Sequence, residues 1–98
     1  MTKKSKVVSV CGNDVVFVEL EVRQVRELMG IVPTDLLDAL ALEDISLSEL
    51  SHMAGIDVSA LDGATSADLE ALRAAAKEVN PLFFGMRERL IKQVEKAQ

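Results

Sequence analysis

The apolar pattern of this chain changes period once, near residue 21, and that change limits the fold more than any other feature. Up to that point, "KVVSVCGNDVVFVELE" holds two β-branched runs separated by Gly12-Asn13, a pair suited to a two-residue hairpin turn. Along the second run Val16, Val18, Leu20 and Val22 alternate with Glu19 and Glu21, which predicts a strand with the apolar residues on one face and the acids in water. From Val22 onward the spacing is helical. A lone hairpin is marginal in water, so this one must lie on the helices that follow it. The expected fold is mainly α, a bundle of about four to five helices with a short N-terminal β-hairpin. It makes a single domain over residues 1–98, with about 1–6 a flexible N-terminus, 7–20 the hairpin and 22–97 helical.

Within the helical part, the stops and starts are legible. Val22, Val25, Leu28 and Met29 fall on one helical face, and Gly30 ends it. After Pro33, Thr34 is placed to cap a helix through "DLLDALAL", with Leu36, Leu37 and Leu40 expected in the core. Ser46 with Glu49 three residues on makes a capping box, and Gly55 is a stop. His52, inside that short helix, has no second His or Cys at ligand spacing and reads as a surface or packing residue. "TSADLEALRAAAKEV" is the clearest helix, capped by Thr65, with Asp68 and Glu70 where the macrodipole favours acids. Leu69, Leu72, Ala76 and Val79 form its apolar stripe, and Ala67, Ala71 and Ala74 offer a small-residue side to a second helix.

That helix runs into "VNPLFF". Pro81 removes a backbone donor and disfavours helical geometry at Asn80, so one helix ends near Val79. Proline also suits the first position of a new helix, with Asn a good cap before it. Val79 and Phe84 then occupy the two positions that a hydrophobic staple joins. Val79, Asn80 and Pro81 are thus a structural corner. In the last helix Phe83, Met86, Leu90, Val94 and Ala97 share one stripe, and Phe84 and Ile91 fall together about 100° away. Two readings stay open: the second pair is a staple with some wrapping, or an exposed apolar strip for a partner helix. The candidate partner-binding residues are therefore Phe83, Phe84, Met86, Leu90 and Ile91, with Phe83, Met86 and Leu90 shared with the core.

Charge and motifs narrow the function by exclusion. Residues 14 to 70 hold thirteen acids against two arginines, whereas residues 71 to 98 carry six bases and three acids. A broad acidic surface repels phosphate, which argues against nucleic acid as a partner. A single cysteine, Cys11, in a predicted turn cannot staple the fold and fits a reducing compartment. No apolar run reaches membrane-span length, and the opening lysines do not precede a signal-type apolar region, so a soluble intracellular protein is expected. There is no glycine-rich phosphate loop, no Cys/His metal spacing and no nucleophile–base pair, so neither an enzyme nor a cofactor is expected.

Taken together, the hairpin leading into "VRQVREL", the acidic Leu-rich middle and "SADLEALRAAAKEVNPLFF" resemble the small tail assembly chaperones of long-tailed bacteriophages. That family commonly carries a valine-asparagine-x-phenylalanine-phenylalanine element after a helix opened by Ser/Thr-Asp-Leu. Here it stands as Val79-Asn80-Pro81-Leu82-Phe83-Phe84, preceded by Ser66-Ala67-Asp68-Leu69. The resemblance runs from about Val7 to about Ile91 and is most specific over residues 65 to 84. The chain departs from it at Glu21, where a capping Thr is common, and in extra spacing between Pro33-Thr34 and Thr65. The resemblance implies a non-enzymatic chaperone that keeps the tape measure protein, a long apolar-rich helical chain, soluble until the tail tube polymerises around it. It further implies action in the host bacterial cytoplasm, absence from the mature virion, self-association, and a longer form made by translational frameshifting.

Two other classes compete. A virion structural or head–tail connector subunit shares the size and context but would remain in the particle. A small acidic carrier domain needs an Asp-Ser-Leu element for its phosphopantetheine arm, and this chain has "EDISLSEL", in which Ser46 is better explained as a cap.

Overall fold

A computed structural model of the chain describes residues 4–10, 12–42 and 44–97, with side chains described as far as Leu90. A two-stranded antiparallel hairpin, β1 (Ser5–Val10) and β2 (Asn13–Val18), precedes five helices. These are α1 (Val22–Met29), α2 (Leu36–Leu40), α3 (Leu47–Ala54), α4 (Ser66–Val79) and α5 (Pro81–Ala97), with a 3-10 turn at Val58–Leu61 between α3 and α4. The mainly α fold with an N-terminal hairpin is thus the one expected. Ser5 and Lys6 belong to β1, so the strand starts earlier than its apolar run suggests.

The hairpin turn is displaced by one residue from Gly12-Asn13. Asn13 is already in β2 and pairs with Val10, and Gly12 holds a left-handed φ of 77°. Cys11, the expected turn thiol, lies outside the described residues. The face assignment of β2 is also reversed. Val15 and Phe17 are buried, while Val16 and Val18 are exposed, and so is Val22, already the first residue of α1. Both faces of β2 carry apolar residues, and the one with the phenylalanine is the face buried, with α3 and α4 both packed against the strand. Glu19 and Glu21 follow the strand and do not extend its alternation.

The core gathers Phe17 from the hairpin, Leu28 from α1, Leu50 from α3, Leu72 from α4 and Phe84 from α5, all fully buried. Local signals place most helix ends. Ser46 and Glu49 form the reciprocal cap of α3, with backbone bonds of 2.9 and 3.1 Å. Gly55 closes α3 in the left-handed region at φ 70°. Thr65 and Asp68 cap α4 in the same way. Of the α4 stripe, Leu72, Ala76 and Val79 are buried and Leu69 is half-buried, with Ala75 added to the buried set. Ala67, Ala71 and Ala74 are exposed, so no described helix uses that side.

The expectation for α2 is reversed. Its cap is Asp35, not Thr34, and Leu36, Leu37 and Leu40 are 77, 69 and 73% exposed rather than buried. The residue it turns inward is Asp38, at 2% exposure. One Asp38 oxygen accepts the Ser48 backbone N–H at 2.8 Å, and the other accepts the Thr34 N–H, the Thr34 hydroxyl and the Ser48 hydroxyl. Burial opposes ionisation of this carboxyl, but the Ser48 and Thr34 donors outweigh it and hold its pKa at about 2, below the ordinary 3.8. The short helix is therefore anchored by a carboxylate rather than by its leucines. Next to it, Asp44 is buried against Arg73 of α4 in a two-point ion pair of 2.7 and 2.8 Å, which ties this segment to the body.

Candidate functional site

The corner at residues 79–81 forms, and it does more than turn the chain. Pro81 is the first residue of α5, and the Phe84 N–H reaches the Asn80 carbonyl at 3.5 Å. The Asn80 side chain does not serve as the expected cap. Its Oδ1 accepts the Leu20 N–H at 2.8 Å and its Nδ2 donates to the Val18 carbonyl at 3.3 Å. Both polar ends of this buried amide are thus spent on the end of β2 and the connector that follows it. The helix corner is clamped to the hairpin across some 60 residues of sequence. This clamp sets the start of α5 beside α1.

Between those two helices lies an apolar groove of ≈ 370 Å³, walled by Val22, Val25 and Met29 on one side and by Leu82, Phe83 and Met86 on the other. It continues along α5 as a second hollow of ≈ 240 Å³ lined by Met29, Phe83, Met86 and Leu90. A third, of ≈ 390 Å³, lies beneath the 31–46 segment and again includes Met29 and Leu90. The third is lined in part by Asp44, Glu49 and Arg87, while the first two share Met29, Phe83 and Met86 and together form the α1–α5 trough. Its exposed apolar groups are Val22, Met29, Leu82 and Leu90, each more than half exposed. Two methionines in its wall supply flexible, polarizable side chains that re-pack against varied apolar partners.

The sequence-derived candidates divide accordingly. Phe83 is 2% exposed and forms the floor, with its ring edge-on to Phe84 at 5.4 Å and the Arg87 guanidinium over it at 5.1 Å. Phe84 is fully buried together with Val79, as a staple requires, so it supports the trough from the core and offers no surface to a partner. Met86 lines the wall and Leu90 the rim. The side chain of Ile91 lies outside the described residues. Sequence reasoning gave the opposite wall no site role: Val22, Val25 and Met29 share a helical face with Leu28, but of the four only Leu28 is fully buried. Leu82, on the outer side of α5, had been given no role.

Charge borders the trough unevenly. Arg26, Arg87 and Arg89 lie along it, with Glu19 at one end. Arg87 also reaches across to pair with Glu49, the buried acid of the α3 capping box, and so fastens α5 to α3. No family model matches the chain, and no match is found among curated proteins or solved structures. Among the described residues no helix is long and apolar enough to cross a membrane. The geometry offers an open apolar groove with the buried Phe83 at its floor and Met29 and Met86 in its walls.

Proposed function

We propose that this protein is a phage tail assembly chaperone that binds apolar helical segments of the tape measure protein and keeps them soluble until the tail tube polymerises. The single observation that supports it most is the α1–α5 trough, whose exposed Val22, Met29, Leu82 and Leu90 are what an amphipathic helix needs to bury its apolar face. The acidic outer surface keeps such a complex in solution. Each contact is small and reversible, and many copies along one long chain supply avidity. On this reading the protein acts in the host bacterial cytoplasm, leaves before the virion matures, self-associates along its client, and works beside a frameshifted longer form. It performs no chemistry and needs no cofactor. Co-expression with the tape measure protein of the same genome, alone and with the longer form, tests the proposal through the soluble yield of the client. An increase in that yield with co-elution supports it, and an insoluble client in both cases refutes it.

A further inference from the structure

The hairpin leaves the outer edge of β1 open. Glu19 donates its N–H to the Lys4 carbonyl directly across the ladder, so in the same register Lys6, Val8 and Val10 also point their backbone groups at β2. Ser5, Val7 and Ser9 therefore turn theirs outward, and among the described residues no group bonds to those N–H and C=O groups. The matching edge of β2 is partly closed, because Asn80 takes the outward carbonyl of Val18. β1 carries none of the usual blocks on a free edge: it has no proline, and its register with β2 has no bulge. Its one charge, Lys6, is turned to Glu78 of α4 at 3.1 Å.

Unspent backbone donors and acceptors in an extended row accept another extended strand. Two observations select a second copy of this chain as that strand. The first is the order Ser5, Val7, Ser9, which reads the same in either direction. A two-fold axis at Val7 sets Val7 opposite Val7 and Ser5 opposite Ser9, and each of these pairs exchanges two bonds, about six in all. Lys6 then faces Val8 of the second copy, whereas an axis at residue 6 would oppose two lysines. The second observation is the exposed alanine side of α4. Ala67, Ala71, Ala74 and Glu78 share a stripe by their four-, three- and four-residue spacing, and the Glu78–Lys6 pair puts that stripe on the β1 side. Asn80, at the end of α4, is held at Val18, the cross-strand partner of Ser5. Counting back at about 1.5 Å per residue of α4 and about 3.3 Å per residue of β1 brings Ala74 level with Val7, with Ala71 one turn beyond. We infer that the free edge of β1 joins the same edge of a second copy. The product is a two-fold dimer with a sheet of four strands, two from each copy, beneath which the small side chains let the two α4 helices approach closely. This dimer does not depend on the chaperone reading, since it uses neither the trough nor a client.

The test uses the full chain. Sedimentation velocity from about 5 μM to about 200 μM should show a monomer–dimer equilibrium. Val7→Pro removes an N–H that β2 does not use, at an edge position that tolerates proline, so the hairpin should stay and the dimer should be lost. Ala71→Glu/Ala74→Glu, at exposed positions of α4, should weaken the dimer about tenfold or more. Far-ultraviolet circular dichroism of both variants should match the parent. In a Cys11→Ser background, Val7→Cys should oxidise to a disulfide-linked dimer. Ser5→Cys should not, because in this register it lies about 13 Å along the strand from its own counterpart. A chain that stays monomeric across the range overturns the inference, and so does a dimer that a folded Val7→Pro leaves intact. Loss of the dimer in Leu82→Ser/Leu90→Ser would place the interface in the trough and would also overturn it. Should Val7→Pro not fold, the two cysteine variants decide alone, since they leave the backbone bonding unchanged, and equal cross-linking at both positions overturns the inference.

Discussion

At the scale of single residues, the two adjacent phenylalanines have different duties despite their shared neighbourhood. Phe84, with no exposure, belongs to the core, and Phe84→Ala should cost about 3–5 kcal/mol of stability in a urea titration. Leu82, two residues away and 70% exposed, should tolerate Leu82→Ala to within about 0.5 kcal/mol. Asp38 gives the pH dependence. Its folded pKa, about 2, is below the ordinary 3.8, so its contribution is present in full above about pH 4 and is lost as pH falls through the folded value. That shift corresponds to about 2 kcal/mol at neutral pH. Asp38→Asn should therefore lower stability by about that amount at pH 7. The gap to the parent should close between about pH 4 and about pH 2, measured by denaturant unfolding across that range. A gap that stays constant would mean that the carboxylate charge is not what anchors α2.

At the scale of elements, Asn80 joins parts that the chain keeps far apart. Asn80→Ala would strip the Leu20 N–H and the Val18 carbonyl of their side-chain partners, at about 1–3 kcal/mol. Amide exchange at Leu20 should quicken more than exchange within α3, because the hairpin–corner clamp is what protects it. The elements also show which features could be read in advance. Ser46 with Glu49, Thr65 with Asp68, Gly55 and Pro81 each act within one turn of chain, so local rules place them. The staple reading of Phe84 rests on the same kind of local spacing, and its full burial agrees with it. The orientation of α2 was not, because its leucine pattern says only that one face is apolar. The inward turn of Asp38 depends on Ser48, ten residues away, whose position follows from tertiary packing. In β2, Val15 and Phe17 compete with Val16 and Val18, and alternation alone cannot choose between two apolar faces. The second wall of the trough escaped notice because a stripe of Val22, Val25, Leu28 and Met29 reads as core whether or not another element covers it.

At the scale of the whole molecule, the chain gathers its acids on the middle segment and leaves bases near the last helix, and each region carries its own exposed apolar surface. The α1–α5 trough is the surface on which the chaperone reading depends, since its walls come from two helices that the Asn80 clamp aligns. Its exposed residues, Leu82 and Leu90 among them, should tolerate substitution without loss of the fold, which would separate binding from stability. The most direct measurement compares the parent chain with Leu82→Ser/Leu90→Ser, each co-expressed with the tape measure protein and the longer form. The quantity read is the amount of soluble tape measure protein that co-elutes. The account predicts abundant co-elution with the parent and a loss of about tenfold or more with the variant, while the variant keeps the melting temperature of the parent. Equal recovery with a folded variant would contradict it, because the client would then be held somewhere other than the trough.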